Sequence, residues 1–99
     1  MKLYDIAHSR AGDKGNTLTL SVIPYSEEDY SMLCERLTAA KVKTHLSKIV
    51  QGEVIRYELP NISSLLFICH QALGGGVTTS LNIDTHGKTL SYALLEIEV

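Results

Sequence analysis

The sequence predicts one α+β domain, a two-layer sandwich in the order ββαβαββ, on three observations. Leu18, Leu20 and Val22 alternate with Thr17, Thr19 and Ser21, which is strand periodicity. Tyr30, Leu33, Cys34 and Leu37 follow the i, i+3, i+4, i+7 spacing of one helix face. Ile55, Tyr57 and Leu59 alternate with Val54, Arg56 and Glu58 in a further strand.

Taken in order, Lys2 to Arg10 and Thr17 to Pro24 are two strands joined by the six-residue polar loop Ala-Gly-Asp-Lys-Gly-Asn. Asp13, Lys14, Gly15 and Asn16 form the hairpin turn, with Gly15 supplying the left-handed conformation that a type I turn plus bulge requires. Pro24 ends the second strand. Ser26 then caps a helix whose first turn holds Glu27, Glu28 and Asp29, acids that the helix dipole favours there.

After Leu37 the apolar stripe jumps to Val42, Leu46 and Ile49, a rotation of about 140° on a wheel of 3.6 residues per turn. A break near Thr38 is expected, with Thr38 capping the second segment. Gly52 precedes the strand Glu53 to Leu59, which Pro60 and Asn61 stop. Ile62 to Leu73 is apolar nearly all round and is read as a helix that is deeply buried or covered by another subunit. Gly74 to Gly76 end it. A short strand at Leu81 to Asp84, a turn at Thr85 to Lys88 and a stretch from Leu90 to Val99 that ends as a strand complete the order. The economical packing is a ferredoxin-like sandwich, one mixed sheet with both helices on one face.

The totals agree with one core. A chain of 99 residues lies in the single-domain range. Its composition, 44% hydrophobic and 20% charged, is that of a globular protein. The net charge of −2 contains no long run of one sign, so neither nucleic acid nor an anionic membrane is an expected partner. Asp5 interrupts the N-terminus before a signal region develops, and the run from Ile62 to Leu73 is too short to span a bilayer; a cytoplasmic protein is expected. Cys34 and Cys69 lie in apolar patterns and read as free, buried thiols. His8, His45, His70 and His86 have no metal-type spacing, and neither a metal nor a cofactor is proposed.

Three segments could carry chemistry. In His8 to Asn16, Arg10, Lys14 and the amides freed by two glycines would suit a carboxylate or phosphate, with Asp13 and Asn16 shaping the loop. The alternative is a hairpin turn with solvated charges. His8 and Ser9 are neighbours on a strand and point to opposite faces, which excludes a nucleophile-base pair. His8 and Arg10 share a face, making His8 the one acid-base candidate. In Gly74 to Ser80, three glycines follow a helix and precede a strand, so this is no P-loop. It is either a helix cap with a flexible crossover or a close approach to a ligand through Gly74, Gly75, Gly76 and Thr78. Asp84 to Lys88 reads as a turn.

Taken together, the segments His8 to Asn16, Arg56 to Asn61, Ala72 to Thr78 and Asp84 to Lys88 resemble the small ferredoxin-fold domain of the acyclic terpene utilisation (AtuA-like) family. They span nearly the whole chain in the right order. In longer members this domain follows a larger N-terminal domain. The resemblance implies a companion of a larger subunit in pathways that degrade branched or terpenoid acyl-CoA compounds, and it carries over no assigned catalytic residue. Two functions are therefore expected: a non-catalytic assembly or regulatory module, forming a homo-oligomer or a complex with a larger AtuA-like subunit, or a small enzymatic or ligand-binding subunit holding an anionic group at Arg10 and Lys14.

Overall fold

The computed structural model describes residues 1–14, 17–47, 50–71 and 93–99. The expectations for Gly15, Asn16, Ile49, Gly74 to Ser80, the strand Leu81 to Asp84 and the turn Thr85 to Lys88 lie outside these residues.

Among the described residues, four strands form one sheet: β1 (Ala7–Lys14), β2 (Thr17–Pro24), β3 (Val54–Leu59) and β4 (Ser64–Cys69). Two helices, α1 (Glu28–Arg36) and α2 (Ala39–His45), come between β2 and β3. The sheet order is β1-β2-β4-β3, and every described pairing is antiparallel. The sheet is thus not the expected mixed one, and the described elements do not follow ββαβαββ.

The largest correction is at Ile62 to Leu73, where the described residues, 62–71, form no α-helix and Ala72 and Leu73 lie outside the description. Residues Pro60–Ile62 make a single 3-10 turn, Ser63 takes a left-handed conformation at φ 48°, and Ser64–Cys69 run as β4. The register Leu59↔Ser64 makes β3 and β4 a tight hairpin, so Pro60 and Asn61 are its turn. β4 is paired along both edges and carries apolar residues on both faces, which removes the alternation that identifies strands elsewhere. Leu65, Phe67 and Cys69 are fully buried, while Leu66 and Ile68, facing the other way, are half-buried.

Two smaller differences occur at the ends of the chain. Leu3–Asp5 form a 3-10 turn and β1 begins only at Ala7, because Leu3 is drawn into the core and its amide bonds Ile97. Residues 93–95 are helical rather than extended. Bonds from Glu96 to Ala93 and from Ile97 to Leu94 close that turn, with the neighbours Leu94 and Leu95 both buried. Among the described residues of this segment, the extended pairing is the bridge Lys2↔Glu98.

The expected helix break is present. The Thr38 hydroxyl accepts from the Lys41 amide at 3.1 Å and caps α2, a contact worth about 1 kcal/mol. Breaking the helix lets both halves of the stripe face the sheet: Leu33, Leu37, Val42 and Leu46 pack with Leu18, Leu20, Val22, Leu65 and Phe67 in one core.

Arg56 fastens this junction to the sheet. Its Nη1 donates to the carbonyls of Cys34 at 2.8 Å and Leu37 at 3.1 Å, and its Nη2 to Glu58 at 2.9 Å. Helix C-termini leave their last carbonyls unpaired and carry negative partial charge, so a guanidinium answers both needs. With Arg56 only 20% exposed, Arg56→Ala should lower the unfolding free energy by about 2 kcal/mol in urea denaturation. Glu58→Ala, which loses a half-exposed carboxylate, should change it by less than about 0.5 kcal/mol. Equal effects would contradict this assignment.

Cys69 is free and fully buried, and loss of solvation pushes its thiol up to about 11 from 9.0. The native state therefore holds this proton where the unfolded chain has released it. Stability should be flat in this group below pH 9 and fall by about 1.4 kcal/mol per unit from there towards pH 11. Cys69→Ala should flatten that fall in pH-dependent denaturation, and an unchanged slope would show that another group sets it.

Candidate functional site

The polar segment expected as a loop is mostly strand. β1 and β2 pair without interruption from Ala7↔Pro24 to Lys14↔Thr17, so Ala11, Gly12, Asp13 and Lys14 belong to the ladder. The glycine-rich composition that suggests a loop has another cause at Gly12. A Cβ there would lie 2.9 Å from Thr19 Oγ1, and that hydroxyl donates to the Gly12 carbonyl at 3.2 Å. Gly12 thus makes room for the side chain opposite it. Its amide is part of the pairing rather than of an anion cradle.

Period two divides β1 as expected. Ser9 turns toward the core side, with its Oγ buried and without a partner among the described residues. His8 and Arg10 lie exposed on the opposite, open face, about 7 Å apart along the strand. The His8 ring lies against Tyr25, with centroids 5.5 Å apart and planes at 40°. Arg10 sits opposite Ser21 and makes no hydrogen bond or ion pair with another described residue. Asp13 and Lys14 pair by backbone with Leu18 and Thr17. Asn16, Gly74, Gly75, Gly76 and Thr78 lie outside the described residues, so the structure joins only His8 and Arg10 of the expected set. An imidazole and a guanidinium side by side on an exposed strand can meet an anionic group.

Sequence reasoning missed a second feature, an open groove of about 590 Å³ between α2 and the C-terminal segment. Ala40, Lys41, Thr44 and His45 form one wall, and Glu96, Ile97 and Glu98 the other. His45 Nε2–H donates to the Ala93 carbonyl at 2.7 Å and ties the walls together. The carboxylates already have partners: Lys2 Nζ reaches Glu96 at 2.7 Å and the Met1 amine reaches Glu98 at 3.0 Å. The Glu96 contact raises the Lys2 pKa above its ordinary value. No local motif could have revealed a groove whose walls are so far apart in the chain. Among the described residues, no group of three His, Cys, Asp or Glu side chains could hold a metal ion, and no helix is long and apolar enough to cross a membrane.

The fit at Gly12 is directly testable. Gly12→Ala must displace Thr19 and break its bond, so a loss of about 1–2 kcal/mol is expected in thermal or urea denaturation. Gly12→Ala in a Thr19→Ala background, which removes the Oγ1 atom in the way, should cost less than it does in the wild-type background. A neutral Gly12→Ala would mean that the glycine serves something other than packing.

Comparison with known proteins agrees with the resemblance read from the sequence. A search of curated proteins and of solved structures gave no match. The family model described as the AtuA ferredoxin-like domain matches residues 1–99, the whole of the sequence, and the chain belongs to that family.

Proposed function

We propose that this domain is a non-catalytic assembly or regulatory module that works with a larger AtuA-like protein in the breakdown of branched or terpenoid acyl-CoA compounds. The observation that supports this reading is the unequal use of the two sheet faces. Helices α1 and α2, with Leu3 and the C-terminal Leu94, Leu95 and Ile97, pack against one face. On the other, Ile55, Leu66 and Ile68 remain half-exposed and Tyr57 is 47% exposed. An apolar sheet face that the described helices leave half-buried suits contact with another protein. The apolar run from Ile62 to Leu73 no longer contributes to the argument, since the centre of the sheet accounts for most of it.

A second reading has its own observation, the exposed His8 and Arg10 side by side on β1. In that reading the domain holds a carboxylate or a CoA phosphate there, with His8 as acid-base group.

Mixing the purified domain with a larger AtuA-like protein from the same cells and resolving the mixture by size exclusion with light scattering tests the first reading. A stoichiometric complex is expected. Separate elution at concentrations of tens of micromolar, together with binding of acyl-CoA that Arg10→Ala weakens at unchanged melting temperature, would overturn it in favour of the second.

A further inference from the structure

We draw no further inference here: the strongest candidate, the groove between α2 and the C-terminal segment, has its carboxylates already paired with Lys2 and the Met1 amine, and nothing in the structure shows what covers it.

Discussion

Everything in this fold depends on β4 being hydrogen-bonded along both edges. It lies between β2 and β3 and pairs with each over most of its length. Its pairing with β3 is local, a short hairpin closed by Pro60–Ile62 and Ser63. Its pairing with β2 spans the segment that contains both helices, and it gives those helices their surface. A slip of one residue would carry Phe67 and its neighbours from the packed face to the open one, so the core fixes the register. The chain thus makes its most apolar strand central, and both faces of the sheet inherit an apolar middle.

Two helices can cover only one of those faces. The Thr38 cap and the Arg56 guanidinium together solve the geometry of covering it. The first lets the chain turn without losing hydrogen bonds, and the second holds the turn against β3 through charge-assisted bonds to carbonyls that would otherwise be unpaired. The start of α1 favours Glu28 and Asp29, and the last turns of the helices carry Arg36, Lys43 and His45, as the helix dipole prefers. The opposite face receives the basic and hydroxyl residues of β1 and β2 and the alternate apolar residues of β3 and β4. Among the described residues, the helices pack one face of the sheet and leave the other less covered, and the proposed role follows from that asymmetry.

Much of this was legible in the sequence. The five-residue jump of the helical stripe marked the break at Thr38 because the positions of apolar residues on a helix report rotation directly. Alternation in Thr17 to Pro24 and Val54 to Leu59 gave the correct faces, including the shared face of His8 and Arg10. Ile62 to Leu73 misled because a run apolar on both sides has no period to read; only the Pro-Asn pair before it and its few core residues favoured a strand. At Gly12 the composition suggested a loop where the structure has a strand, since a glycine admitted by a neighbouring threonine looks the same in sequence as one required by a turn. The groove beside His45 was invisible because its walls, one mid-chain and one C-terminal, are far apart in sequence.

Amide hydrogen exchange of the isolated domain tests the central position of β4 most directly. Doubly paired strand amides open only when the whole domain unfolds, so those of Leu65 to Ile68 should be the slowest in the chain, with an opening free energy equal to that of global unfolding. Exchange at Leu65 to Ile68 as fast as at exposed Ile62 would contradict the account, because the two-faced sheet could not then exist as described.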